Sequence, residues 1–374
     1  MTGVRNPIIH EDLTQICAHD LPWRTFAHKT VLISGANGFL PAYMVETLLY
    51  LNETAGINCR VIGLVRNREK SEKRFAHILG RIDFSLLVQD VCSPLAVDDK
   101  VDFVIHAASQ ASPKYYGLDP AGTLLANTQG THNLLELGRN NSVEGFLFFS
   151  SGDVYGHVNQ NTPIKEDDYG WLDPTEVRSC YGESKRLGET MCVAWHHQYG
   201  VPVKIVRIAH TYGPGLALDD GRVFADFVAN VVRNEDILLK SDGLARRPFL
   251  YLADATLAFF TVLLRGENAQ AYNVANEAGD ISVRELAEML VRLFPERRLK
   301  VKYAPGITQP GYIASNIQGG VPDTTKLREL RWSPTTSLED GFCRTVRSFE
   351  CDENSRFLDS AGQPASRAAL FRQQ

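Results

Sequence analysis

A chain of 374 residues, 44% of them hydrophobic, has the apolar surface for a large core and, at ~100–200 residues per domain, fills one large domain or two intertwined ones. Its formal net charge of −5 speaks against nucleic-acid binding, which demands clustered Lys and Arg against the phosphate backbone. The longest apolar run, "ATLAFFTVLL", falls far short of the ~20 residues of a membrane span, and the first residues carry no signal-peptide pattern, so the expectation is a cytoplasmic protein with neither membrane nor nucleic acid as partner.

Residues 1–28 precede the first strand pattern as an N-terminal extension. In "TVLISGANGFLPAYMVETLL", Thr30 to Ser34 reads as a buried strand and Met44 to Leu49 as a helix. Gly35 and Gly38 let the turn between them approach a pyrophosphate, with Asn37, Phe39 and Leu40 completing the loop. Pro41 stands where such loops carry a third glycine. It is tolerated, because its fixed φ suits a first helical turn and its missing N–H has no partner there. Further apolar runs, "RVIGLV", "FSLLV", "VDFVIHAAS", "GFLFFSS" and "VKIVRIA", alternate with amphipathic helices, as expected of a Rossmann-type doubly wound parallel sheet of the α/β class.

After about Gly213 the rhythm changes to mixed segments, which marks a smaller α/β substrate domain. The expected division is 29–207 plus 243–275 for dinucleotide binding, and 208–242 plus 276–350 for substrate. Ser282 and Glu285 stand at capping-box spacing ahead of a helix. Residues 351–374 are polar and weakly periodic, expected as a loose tail or an oligomer contact. The seven cysteines form no Cys-x-x-Cys pair, which suits reduced thiols, and no metal site is expected.

Tyr181 and Lys185 lie four apart in a helical pattern and share a face. An ammonium beside a phenol lowers its pKa toward that of a base, and Ser151 at a strand end can bond the same substrate hydroxyl. With "GANGF", Asp90–Val91, "HAAS", "SSGDVYG", "YGESK", "GPG", "RRPFLYLAD" and "RWSP" in order, the chain from about Lys29 to Leu338 resembles the extended short-chain dehydrogenase/reductase family that acts on nucleotide-diphosphate sugars. That resemblance implies Tyr181 as the base for oxidation at carbon 4, with Lys185 lowering its pKa and holding the cofactor ribose and Ser151 sharing the proton. It places Asp90 and Val91 at the adenine and Ala107, Ala108 and Ser109 along the cofactor. It also implies a homodimer through the helix carrying Tyr181 and its neighbour.

Arg66 stands where NAD-selective members carry an acid, and suits either the 2′-phosphate of NADP or stacking on adenine. NAD is the expected cofactor, because similar lyases and epimerases retain it. Asp153, two before Tyr155, occupies the position where similar dehydratases and uronate decarboxylases carry an acid, or else caps the strand end. The expected reaction is 4,6-dehydration with Asp153 as the acid. Decarboxylation of a nucleotide-uronate, epimerisation at carbon 4 or 5, and a non-catalytic NADP-sensing protein are the alternatives.

Local similarity is to UDP-glucuronate decarboxylases, with two departures. Gly215 and Gly320 stand where those enzymes carry arginines, and a carboxylate substrate needs a fixed cation. Arg222 and Arg247 are expected on the substrate pyrophosphate, and Ser112, Lys114 and Tyr115 on the sugar. His210 replaces a sugar-contacting asparagine or is a packed core histidine.

Overall fold

The computed structural model describes residues 5–158, 163–304 and 320–360. Helix α1 (Pro7–Ala18) starts where Asn6 accepts the N–H of Ile8, with proline as its first residue, a pairing that satisfies one orphan donor and omits another. β1 (Thr30–Ser34), α2 (Phe39–Ala55), β2 (Arg60–Val65), α3 (Arg68–Arg74) and β3 (Phe84–Val88) follow. β4 (Phe103–His106) leads to α4 (Lys114–Leu118), α5 (Pro120–Asn127), α6 (Gln129–Asn141), β5 (Gly145–Ser151), α7 (Cys180–Tyr199) and β6 (Val203–Ile208).

Next come β7 (His210–Tyr212), α8 (Val223–Arg233), β8 (Ile237–Leu239), β9 (Arg246–Tyr251), α9 (Leu252–Arg265) and β10 (Gln270–Val274). The chain closes through β11 (Asp280–Ser282), α10 (Val283–Leu293), β12 (Val301–Tyr303), α11 (Thr325–Glu329) and α12 (Leu338–Ser360).

The expected parallel sheet is present, with seven strands in the order β10-β6-β5-β4-β1-β2-β3, every pair parallel. Its side chains alternate between two cores: Val31 and Ile33 enter the one shared with α2 and α9, while Leu32 enters the one shared with α6 and α7. All three are fully buried, each worth about 1.5–3 kcal/mol relative to exposure. The strand order reverses between β1 and β4, so the crevice at their carboxyl ends is the switch point where such sheets bind ligands.

Two segments depart from expectation. Of residues 243–275, expected in the dinucleotide-binding domain, β9 lies between β7 and β11 in a three-stranded sheet, and β10 joins the edge of the main sheet beside β6. The helix α12 runs on through Ser360, past the point where a loose tail was expected, because no glycine or proline interrupts the chain between Gly341 and Gly362 and polarity alone does not end a helix. Residues 361–374 of that tail, like 305–319 of the substrate region, lie outside the described residues.

The N-terminal extension is part of the core. Asp12, fully buried, accepts hydrogen bonds from Tyr43 Oη on α2 (2.9 Å), Tyr251 Oη (2.8 Å) and Arg344 Nη2 on α12 (2.6 Å). Burial pushes its pKa above the ordinary carboxylate value although Arg344 pulls the other way.

Candidate active site

The glycine loop is built by close approach. Gly35 adopts φ 65°, and a Cβ there would come within 2.8 Å of Ala108 Cα, so only glycine fits without strain. Its N–H donates to Leu64 O (2.8 Å), and Gly38 N–H returns to Gly35 O (2.7 Å). Gly38 caps α2, leaving the N–H groups of Phe39 and Leu40 without acceptors inside the helix, an arrangement that meets a pyrophosphate. Pro41 is the third residue of the helix and buried; its missing N–H removes one such donor and no intrahelical bond.

Ser34 and His106 complete the loop, and the sequence reading gave neither a role. Ser34 Oγ accepts from the N–H groups of Ala107 and Ala108, both at 3.1 Å, so its hydroxyl donates to His106 Nδ1 (2.9 Å). The Nε2–H of His106 then faces Thr131 Oγ1 (3.0 Å), whose own proton goes to Asn127 O (2.6 Å). Burial, with Lys185 nearby, lowers the imidazole pKa to about 3, which suits the neutral ring this chain of bonds requires. Ser109 Oγ is buried with no partner among the described residues.

Arg66 is exposed just beyond β2. Asp90 Oδ1 accepts the N–H of Cys92 (2.9 Å). Val91 is turned inward: its side chain packs where a Cβ on Gly130 would meet it at 2.8 Å, and its carbonyl accepts from Asn133 Nδ2 (2.9 Å).

Tyr181 occupies the first turn of α7, and Ser151 ends β5 near enough to the phenol to lower its pKa. Lys185 Nζ donates to Phe149 O (2.6 Å) and lies 5.8 Å from the Tyr181 ring centre. The expected activation of the phenol by Lys185 is absent from this geometry. Burial and the Asp153 charge push Tyr181 up to about 12, and the groups that pull it down are Ser151, Arg222 and Arg178. Burial lowers Lys185 to about 7. Burial disfavours the charged form of both groups, and Lys185 Nζ is directed at a carbonyl instead of the phenol.

Asp153 does not stand alone. Arg178 Nη2 reaches Asp153 Oδ2 at 3.1 Å, and the same guanidinium lies 4.6 Å over the ring of Tyr116, which stacks on Tyr181 at 5.0 Å. Arg178 Nε is buried without an acceptor among the described residues. Neither Arg178 nor Tyr116 was picked out from sequence. The signal for Arg178 was its position three before Tyr181, in the short 3-10 turn (Val177–Ser179) that leads into α7. Tyr115, chosen for the sugar, is exposed; its neighbour Tyr116 is the one turned inward.

The other substrate candidates line two lips. Ser112 Oγ donates to Asp220 O (2.5 Å) and Lys114 Nζ to Asp219 O (3.0 Å). Arg222 forks onto the Asp220 carboxylate, and Arg247 Nη1 donates to Arg246 O (2.7 Å). His210 feels both Arg222 and Arg247, and burial foremost lowers its pKa to about 3; its ring is edge-on to Phe249. Arg246 is held at the surface by Asp280 and Glu285.

Both departures at glycine have an occupant. A Cβ on Gly215 would come within 2.5 Å of Arg74 Nη2, whose guanidinium also donates to Gly215 O (3.1 Å), and one on Gly320 would meet Ile164 at 2.8 Å. Among the described residues no cluster of three His, Cys, Asp or Glu could hold a metal ion, and no helix is long and apolar enough to cross a membrane.

Residues 31–275 match the model of the NAD dependent epimerase/dehydratase family. The chain is 31% identical over 320 residues to UDP-glucuronic acid decarboxylase 1 of Arabidopsis thaliana, covering 85% of this chain and 69% of that protein. It is 33% identical over 320 residues to UDP-glucuronic acid decarboxylase 5 of the same plant, covering 84% and 87%. Among solved structures, the UDP-glucuronic acid 4-epimerase of Bacillus cereus, in complex with UDP-glucuronic acid and NAD, shares the fold with a TM-score of 0.71 at 20% identity, over 86% of this chain and 99% of that one.

Proposed function

The chain belongs to the NAD dependent epimerase/dehydratase family, and from that premise we propose that it oxidises a nucleotide-diphosphate uronic acid at carbon 4 and releases its carboxyl group as carbon dioxide. The observation that carries this reading is the Arg178 guanidinium beside Tyr181, with Nε unpaired and Nη2 on Asp153. A carboxylate entering this site meets a buried cation with a donor still to satisfy.

The residues present fit a dinucleotide: the Gly35 cradle against Ala108, the first-turn donors of α2 and the unpaired Ser109 hydroxyl line one crevice. NAD, when bound, supplies the acceptor and later the donor of the hydride at carbon 4. Tyr181 takes the proton of the carbon 4 hydroxyl as the ketone forms, with Ser151 sharing it. The product is a β-keto acid. Held by Arg178, it breaks the bond between carbons 5 and 6, the electron pair passes into the carbon 4 carbonyl, and carbon 5 takes a proton as the ketone re-forms. Arg222 and Arg247 hold the pyrophosphate, for which Arg222 exchanges the Asp220 carboxylate.

The 4,6-dehydration expected from sequence ranks second. It needs a base at carbon 5 and an acid at the carbon 6 oxygen, and Asp153 is the carboxylate acting on Tyr181. Here that carboxylate is paired with Arg178 at 3.1 Å. Of the arginine positions lost at Gly215 and Gly320, the first is filled in space by Arg74. NAD is favoured over NADP on the relatives' side, with Arg66 the residue to vary. Exposed Leu124 and Leu125 on α5 and Leu187 on α7 form an apolar face for a homodimer.

The test is incubation of the purified protein with NAD and a panel of nucleotide sugars, read by mass spectrometry. Loss of carbon dioxide from a uronate is the expected outcome. Loss of water from a neutral sugar, or an isomer of unchanged mass, would replace this reading with a dehydratase or an epimerase.

A further inference from the structure

At the end of β5, successive residues meet α7 one turn apart. Phe149 O accepts Lys185 Nζ (2.6 Å), Ser150 Oγ donates to Glu189 Oε1 (2.5 Å), and Ser151 faces Tyr181. Tyr181, Lys185 and Glu189 are spaced i, i+4, i+8, so one helix face carries all of them. Glu189 is braced from the next strand. Arg207 on β6, in register with Ser150, grips both of its carboxylate oxygens through Nε (3.0 Å) and Nη2 (2.7 Å). Arg207 also donates to Glu166 O (2.7 Å) and lies 4.9 Å over the Tyr155 ring. Both side chains are nearly buried.

We propose that Glu189, braced by Arg207, is a positioning residue for Lys185: it ties the strand end to the catalytic helix and supplies the countercharge that keeps Lys185 an ammonium. The charged and titratable groups around Lys185 are few. On α7 they are Tyr181, Glu189 and Cys192; from β4 comes His106, and from β6 Arg207 through Glu189. Cys192 is fully buried and its thiol is pushed up by that burial, and His106 is neutral, so neither holds charge against the lysine. Against burial, Cys192 and then Glu189 raise the Lys185 pKa; with the thiol pushed up by its own burial, Glu189 is the anion of this helix face, and Arg207, which grips it, moderates its charge. A bare buried lysine loses its proton near neutrality. Removing Glu189 takes away the opposing charge, while removing Arg207 unmasks it.

This inference rests on the reading of Tyr181 and Lys185 as the proton-transfer pair, but its test needs no sugar. Protein carrying carbon-13 at the lysine ε position is titrated by NMR, the Lys185 signal being identified by its loss in Lys185→Arg. Glu189→Gln should lower the Lys185 midpoint by about one pH unit, a tenfold change in proton affinity. Arg207→Gln should raise it, and Glu189→Asp should sit near the wild type. A merely structural role would lower melting temperature in both without moving the midpoints in opposite directions. Should Glu189→Gln fail to fold around an unpaired Arg207, the double variant Glu189→Gln/Arg207→Met leaves no lone charge, and its midpoint should still fall. An unchanged midpoint in Glu189→Gln or in the double variant, or a shift of one sign in both single variants, overturns the proposal. Failure of the sugar assay alone leaves it standing.

Discussion

Arg178 joins Asp153 to Tyr181 through an aromatic ring: its guanidinium bonds the carboxylate at 3.1 Å and covers Tyr116, whose ring is stacked on Tyr181. On the proposed reading, a substrate carboxylate arriving here shares a cation already fixed in place, and Arg178 is the residue to vary for sugar selectivity. Arg178→Met should lower kcat/KM for a nucleotide-uronate about a hundredfold, about 3 kcal/mol, and leave NAD affinity unchanged by calorimetry. Equal loss with neutral sugars would point to a packing role instead.

Tyr181→Phe keeps the ring stacked on Tyr116 and removes only the phenol oxygen. Turnover should drop by about 10²–10⁴, with cofactor binding and melting temperature close to the wild type. A sensing protein would show no turnover before or after the change, and steady-state kinetics on the two proteins separates these outcomes.

His106 and His210 are both lowered to about 3 by burial. Their folded pKa values lie below those of the unfolded chain, so the unfolded state binds protons that the native state refuses. The stability this represents is fully present above about pH 6.5 and is lost as pH falls toward about 3. Asp12, raised by burial, works in the opposite direction. Urea midpoints should therefore fall steadily on acidification, and His106→Gln, which keeps a donor and an acceptor, should flatten that slope.

Asp12→Ala removes the acceptor shared by Tyr43, Tyr251 and Arg344. The arginine is left without its buried carboxylate, which costs about 3–5 kcal/mol. Chemical denaturation should show that loss as a lower midpoint. A change below about 1 kcal/mol would mean that Glu11, at 3.0 Å from Arg344, takes over as its partner.

The sheet was legible because its strands are buried on both faces and read as unbroken apolar runs, and the glycine loop because the approach of Gly35 to Ala108 excludes a side chain. The spacing of Tyr181 and Lys185 and the capping box at Ser282 and Glu285, formed as expected, are local and so visible in one dimension. What stayed hidden depends on contacts between distant segments. Asp153 meets Arg178 from 25 positions away in sequence, and nothing local to either names the other. Choosing Tyr115 over Tyr116 was a matter of one position, a rotation of about 100° around a short helix. The expectation that Lys185 lowers the pKa of Tyr181 came from spacing, and burial, which spacing does not report, outweighed it. Nor does an apolar strand pattern say which sheet receives β9.

The contacts of Asp12 also bear on when this chain is complete as it leaves the ribosome. Asn6 bonds the carbonyl of Ser348, and Asp12 waits for Arg344, so the first helix cannot finish docking until almost the whole described chain has been made. Until then the face of α1 that packs on α12 is uncovered. Domains that fold as they emerge bury such surfaces early; here α1 waits for α12, so termination before residue 344 leaves a nascent chain whose Asp12 keeps Tyr43 and Tyr251 but lacks its arginine.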